Sequence, residues 1–330
     1  MNAYLPHSPE MIAAVGLLLA VLAVLGHLLT LLPPRGAVSL TAWALTVAAC
    51  AAAERLTAGE PSGVRMIAII LAMLLALKAV VGVASQAGGD RRLPARAWFA
   101  FALGWLGMRP AVFAAYPGKP REGAAALAAL GLRRLAAGAI LIAAARAVWV
   151  LTEGSWSEAP RRGATVLLLL PGVSLAMHFG ILNLLAGWWR YRGADTRKLF
   201  RAPALATSLS EYWGRRWNLA FSEMAALAVF RPLRKRLGDG PAMAAVFAFS
   251  GVLHELAISL PVRGGYGLPM LYFGLQAIGM QAERSLRTRD RPLDGTLAGR
   301  LWTAAWILLP LPLLFHLPFL RGCVWPLIGA

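Results

Sequence analysis

Hydrophobic and polar positions alternate along this chain in long blocks rather than residue by residue. Apolar runs occupy residues 11–32, 37–53, 64–84, 131–151, 164–187, 241–260, 266–283 and 300–318, separated by short basic or proline-bearing segments. Each run is close to the roughly 20 residues an α-helix needs to cross the hydrocarbon core of a bilayer. A helix satisfies its backbone groups within the segment, and these runs lack the strict alternation of barrel strands. The pattern predicts an all-α polytopic membrane protein with about eight transmembrane helices. Two further segments, 97–115 and 218–230, are apolar but short, and are expected to be re-entrant or interfacial.

Composition agrees with that class. Of the 330 residues, 58% are hydrophobic and 15% charged, against about 25% charged in a soluble domain. A net charge of +18 raises the question of nucleic acid, and the placement of the charge answers it. With the N-terminus outside, loops 33–36, 85–134, 188–240 and 284–300 face the cytoplasm and hold 25 of the 33 Lys and Arg residues, against six on the other side. Cytoplasmic enrichment of Lys and Arg orients such proteins. The basicity is therefore topological, and no nucleic-acid partner is expected. Lys78 and Arg146 are read as lying near span ends, where long side chains can snorkel. The expected location is a bacterial-type inner (cytoplasmic) membrane. The first ten residues, MNAYLPHSPE, contain no Lys or Arg and so lack the n-region of a secretory signal; the first span is expected to be retained. Cys50 and Cys323 form no metal or redox pattern.

The expectation is one transmembrane domain over residues 1–330, with 1–187 mainly scaffold and 188–330 carrying the chemistry. In the first half, WFAFALGWLGMRP (98–110) reads as an interfacial anchor, with direct substrate contact as the competing reading. Polar residues collect later. Trp188–Arg192 forms an aromatic-basic belt where a span leaves the membrane. Beyond Pro203, Ser208 and Glu211 have the spacing of a capping box, which predicts a helix start. Trp213 and Trp217 lie four apart on that helix and are expected to share a face, flanked by Arg215 and Arg216. The bland reading of these residues is a membrane-interface anchor. Asn218 enters an apolar run, where its amide needs a partner, structural or functional.

Within the apolar run 241–260 stand His254 and Glu255. Ionisable groups at such depth usually face a cavity or a partner. Ser250 and Gly251, one turn earlier, are expected to leave room beside the imidazole. Desolvation favours the neutral ring, the form that accepts a proton. A satisfied structural histidine is the competing reading. Glu255 points about 100° away, towards another helix. His178, with Asn183 nearby, is the main rival; His7, His27 and His316 compete less well. No two histidines have metal-ligand spacing, and neither a G-x-S-x-G elbow nor a P-loop or dinucleotide fingerprint is present. None of the five histidines is followed by Asp after four residues.

Two segments, TSLSEYWGRRWN (207–218) and FSGVLHE (249–255), together with the closing FHLPF (315–319), resemble the wax synthase (jojoba-type) branch of the membrane-bound O-acyltransferase (MBOAT) superfamily. The chain departs from that pattern at Ala206, Glu211 and Tyr212, where Ser, Asp and Phe are commoner. The resemblance implies an MBOAT-like fold, an acyl-CoA donor and a lipophilic alcohol acceptor meeting among membrane lipid. It implies His254 and Asn218 as catalytic. Trp213, Arg215, Arg216, Trp217, Ser250 and Glu255 are expected to contact substrate, and no metal or redox cofactor is expected. Acyl length, acceptor alcohol and oligomeric state stay open. The alternative is a transporter or flippase of a lipid-linked substrate that uses His254 and Glu255 as a proton relay; a noncatalytic scaffold is a third reading.

Overall fold

The computed structural model describes residues 3–288 and 294–330, so part of the expected loop 284–300 lies outside the described residues. In chain order the helices are α1 (Pro9–Leu31), α2 (Gly36–Leu56), α3 (Ser62–Ala87), α4 (Ala95–Gly104), α5 (Ala124–Leu151), α6 (Glu158–Ser174), α7 (Leu182–Tyr191), α8 (Leu209–Glu211), α9 (Leu219–Ala225), α10 (Arg231–Leu237), α11 (Asp239–His254), α12 (Leu260–Val262), α13 (Leu268–Thr288) and α14 (Leu297–Leu308). Among the described residues every regular element is helical. Seven helical stretches of the described residues are long and apolar enough to cross a membrane. The chain is a multi-pass α-helical membrane protein.

Seven of the eight expected spans are among those stretches. The remaining one, read at 266–283, is the helix α13. It is 21 residues long but too polar to count as a span on composition. The reason is visible in its packing: Gln276 and Glu283 are 0% and 3% exposed, and their polar atoms are bonded inside the protein. The expected start at residue 131 falls inside α5, which begins at Ala124, so Arg133 and Arg134 belong to the helix and are exposed.

The chain forms two compact units, residues 112–199 with 320–330, and residues 4–111 with 200–319. The first unit is a helical hairpin. Alpha5 runs against α6 and α7, which are joined by a π-helical turn at Leu175–Ile181. Small residues set the approach. A Cβ on Gly138 would stand 2.6 Å from the Ala176 backbone N and 2.7 Å from the Gly172 O, so any side chain there would force the helices apart. In the belt at the end of α7, Trp189 packs edge-on against Phe113 and Tyr116, at 5.1 and 5.4 Å between centroids. Arg146 is exposed on α5 and donates to the Ile328 carbonyl at 2.6 Å.

In the second unit, helices of the expected scaffold half and the motif-bearing half pack together. Ser8 caps α1 by accepting from Met11 N at 3.1 Å, with Pro9 at the first helical position, where a missing N–H costs nothing. Alpha2 and α3 form a hairpin joined near its turn by Arg65, which is 4% exposed. The Arg65 guanidinium donates to Glu54 at 2.5 Å and to the carbonyls of Leu260 and Pro261 at 3.1 and 2.6 Å. Those carbonyls lie in the last turn of the helical run that carries His254, and a cation is favourable there.

Two expectations about this unit need correcting. Lys78 does not snorkel: it is 2% exposed in the middle of the unit, and its Nζ donates to Trp105 O at 2.7 Å and Gly107 O at 2.5 Å, 3.9 Å above the Phe101 ring. The chain leaves helical geometry after α4, and the ammonium satisfies carbonyls that no helix partner reaches. Nor is 98–110 a surface anchor. Trp98 and Phe101 are 1% and 0% exposed, and Trp98 Nε1 donates to Ala23 O at 3.0 Å. Aromatic bulk is buried here against α1 and α3.

Candidate functional site

The local sequence builds the site in two pieces, both in the second unit. The first is the stretch 207–218. Ser208 caps α8 through Oγ, which accepts from Glu211 N at 3.2 Å. Glu211 reaches back as a capping box requires, but its Oε2 accepts from Thr207 N at 2.8 Å, one residue before the expected donor. The Thr207 N–H, with help from the Arg216 guanidinium, outweighs partial burial and holds the Glu211 carboxyl below its usual range. Glu283 of α13 supplies a second cap. Its carboxylate accepts from Leu209 N at 2.6 Å, Ser210 N at 3.2 Å and Ser210 Oγ at 2.8 Å, a negative charge set on the first free N–H groups of a helix.

Alpha8 continues into a π-helical turn, Tyr212–Arg216, and Trp217 then leaves it in an extended conformation. Trp213 and Trp217 therefore do not share a face. Trp213 turns inward, donating from Nε1 to Gln276 Oε1 at 3.2 Å and packing against Phe247 and Phe273 at 5.9 and 5.8 Å. Gln276 in turn donates to Trp306 O at 2.7 Å. Trp217 instead stacks on Tyr212 at 5.7 Å and meets Phe200 edge-on at 4.9 Å.

The two arginines also part. Arg216 bonds Glu211 through both Nε and Nη2 at 2.7 Å, and its Nη1 donates to the carbonyls of Arg201 and Ala202 at 3.2 Å. Its guanidinium is occupied in holding the strand of chain before α8. Arg215 is exposed and makes neither an ion pair nor a side-chain hydrogen bond among the described residues.

Asn218 has φ +44° and ψ +62°. That left-handed conformation is tolerated best, after glycine, by Asn and Asp. Its Oδ1 accepts from Phe221 N at 3.2 Å and caps α9. Its Nδ2 has no hydrogen-bond partner among the described residues, so one end of the amide is structural and the other is a free donor.

The second piece is the end of α11. His254 Nδ1 lies 2.7 Å from the Ser250 carbonyl. A carbonyl only accepts, so Nδ1 carries the proton and the neutral ring presents a lone pair at Nε2. Nε2 has no partner among the described residues, and the ring is only partly buried. Phe273 packs on it at 4.4 Å between centroids. The same Phe273 touches Trp213, so one ring joins the two pieces. Asn218 and His254 are not hydrogen-bonded to one another.

The expected space beside the imidazole is not supplied by Gly251. A Cβ there would meet Met270 Sδ at 2.6 Å and Met270 Cα at 3.1 Å; the missing side chain lets α13 close against α11. Ser250 is 3% exposed and serves His254 through its carbonyl. Glu255 pairs with another helix, as its direction implied. Its Oε1 accepts from Gly267 N at 2.9 Å and Met270 N at 3.1 Å at the start of α13, while Oε2 is buried without a partner. A π-helical turn, Glu255–Ser259, follows His254 immediately, and such turns inside helices are frequent at functional sites.

The other histidines are occupied differently. His178 lies in the first unit, its Nδ1 3.2 Å from Ser174 Oγ. His316 is 3% exposed and fully committed: Nδ1 accepts from Phe319 N, which leaves Nε2 to donate to Ser259 Oγ at 3.2 Å. Among the described residues no cluster of His, Cys, Asp and Glu is arranged to hold a metal.

Both pieces of the site fall inside one family match. Residues 196–274 match the membrane bound O-acyl transferase family. The resemblance read from the motifs holds. Over 137 residues the chain is 31% identical to the long-chain-alcohol O-fatty-acyltransferase of Simmondsia chinensis, a match covering 36% of this chain and 39% of that protein. It is 30% identical over 139 residues to the probable long-chain-alcohol O-fatty-acyltransferase 6 of Arabidopsis thaliana, covering 37% and 40% of the two chains. The probable long-chain-alcohol O-fatty-acyltransferase 7 of the same plant is 32% identical over 137 residues. The matches span about two-fifths of the length of these curated relatives. These relatives are plant proteins and lend no support to the expected bacterial inner membrane.

Proposed function

We propose that this chain is an acyl-CoA:alcohol O-acyltransferase with His254 as general base. The observation that carries the proposal is the imidazole inside the family match, with its Nδ1 proton committed to Ser250 O and its Nε2 lone pair unengaged. Nε2 takes the hydroxyl proton as the alcohol oxygen attacks the thioester carbonyl. The C–S bond then breaks, and the imidazolium returns the proton to the leaving thiolate. General base help of this kind is worth about 10²–10⁴ in rate. The free Asn218 Nδ2 donates to the acceptor or to the developing oxyanion. Arg215 offers an unpaired cation to CoA phosphates, while Arg216, already bonded four times, acts by shaping the turn. Trp213, which packs on the same Phe273 ring as His254, lines the approach. The names of the relatives point to fatty acyl donors and long-chain alcohols. The transporter reading is not favoured, because a relay needs a mobile Glu255 and this one is tied to the start of α13.

Purified protein given labelled palmitoyl-CoA should form ester with long-chain alcohols, and the same panel with acetyl-CoA and terpenoid alcohols reads out acyl length. Thioester consumption with no ester formed on any alcohol refutes the reaction.

The reading also needs the basic loops on the side where acyl-CoA is made. Cys50 and Cys323 are both buried, so single cysteines introduced elsewhere report cleanly. Cysteines placed within 190–200 should resist a membrane-impermeant thiol reagent in intact cells, whereas Ser155→Cys, in the loop assigned to the outside, should label. Ready labelling at 190–200 overturns the orientation.

A further inference from the structure

The sequence RPLRKRLGDGPAM (231–243) sets four cations directly before a membrane helix. In the structure they form α10, and Gly238 at φ +81° turns the chain straight into α11. Arg231, Lys235 and Arg236 are exposed and make no ion pair or side-chain hydrogen bond among the described residues. Arg234 is paired with Asp239 at 2.6 Å, and Arg284 of α13 approaches the same carboxylate at 3.9 Å. One acid thus answers five cations.

Asp239 and Arg284 each precede a residue that lines a groove of about 560 Å³ between α11 and α13. That volume is within the ~300–1,000 Å³ typical of sites for small ligands. Its walls are apolar: Gly240, Met243 and Ala244 on one side, Ala277, Ile278 and Ala282 on the other. The groove exists because small residues line both helices. It opens sideways, with Ile278 59% exposed. Among the described residues the polar wall residues, Gln281 and Ser285, stand at the end nearest Asp239 and Arg284. An apolar trough whose polar end adjoins Asp239 and the basic helix α10 leading into α11 fits an amphiphile with an anionic head.

We infer that the α11–α13 groove and α10 together form a binding site for an anionic phospholipid, one acyl chain lying in the groove and the phosphate held by Arg231, Lys235 and Arg236. Basic clusters beside a membrane helix recognise anionic headgroups, each cation contributing about fivefold in affinity. None of these residues belongs to the proposed acyl-transfer machinery.

The test uses the full chain in neutral detergent, with bound lipid counted by native mass spectrometry. Phosphatidylglycerol should be retained over phosphatidylcholine of the same acyl chains by at least tenfold. The triple variant R231Q/K235Q/R236Q should reduce phosphatidylglycerol binding by about 10²-fold, with acyl transfer in neutral lipid and melting unchanged. Shortening the acyl chains to six carbons, which asks nothing of protein folding, should also weaken retention, as should A277L. Equal retention of the two lipids, or an unchanged preference in the triple variant, overturns the site. So does glycerol 3-phosphate binding as tightly as phosphatidylglycerol, because the groove would then contribute nothing. One-for-one displacement of the lipid by palmitoyl-CoA also overturns it, assigning the groove to the donor substrate.

Discussion

With His254 as the proposed general base, His254→Ala should lose about 10²-fold or more in turnover, equivalent to about 2.7 kcal/mol of barrier, with the protein still folded. The loss follows from the tautomer. Ser250 O fixes the proton on Nδ1, so the lone pair at Nε2 is what Ala removes, and water inside a membrane protein is a poor replacement. The structural cost is small, since the only hydrogen bond lost lies within the helix and Ala suits a helix at least as well as His. The ring contact with Phe273 at 4.4 Å is a packing interaction at risk. His254→Gln controls for it by keeping bulk without a base of comparable strength, and should fail equally. His178→Ala removes a membrane histidine from the other unit, outside the family match, and should leave turnover near that of the unmodified chain. Near-normal transfer by His254→Ala, together with its abolition by His178→Ala, refutes the assignment.

The parts of this molecule that are legible in the sequence are those governed by one-dimensional rules. Span positions follow from runs of apolar residues, and the family motif contains its own cap, so the spacing of Ser208 and Glu211 suffices to place the start of α8. The misreadings share a cause, which is that a buried polar residue shows its purpose only through a distant partner. Lys78 in an apolar span signals a need for acceptors; that these are the carbonyls of Trp105 and Gly107 depends on how α4 ends. Gln276 and Glu283 are missed by motif reasoning, although they stand two helical turns apart on one face of α13, and that stripe is the signal that could have found them. Their partners, Trp213 and the α8 N-terminus, lie over sixty residues away. The shared face of Trp213 and Trp217 fails for a local reason. The π-helical turn Tyr212–Arg216 and the extended backbone of Trp217 break the helical period, and residue propensity does not announce either one.

Asn218 gives the other large effect, and its two ends allow structure and chemistry to be separated. Asn218→Ala confounds them. It puts a Cβ residue without local hydrogen bonding at φ +44°, costing about 1–2 kcal/mol, and removes a cap worth about 1 kcal/mol. Asn218→Asp keeps tolerance of the left-handed backbone and keeps an oxygen for Phe221 N, losing only the Nδ2 donor. Asn218→Gly relaxes the backbone, gives up only a few tenths of a kcal/mol as a cap, and also lacks the donor. If Nδ2 steadies the oxyanion or the acceptor, both variants should melt near the unmodified protein yet lose about 10²–10³-fold in turnover, the range for a lost oxyanion donor. Aspartate alone would be ambiguous, because it brings a negative charge towards developing negative charge; glycine brings none. Should Asp and Gly both turn over within about threefold of the unmodified chain while Ala loses activity in step with unfolding, Asn218 is a helix cap alone, and His254 works without it.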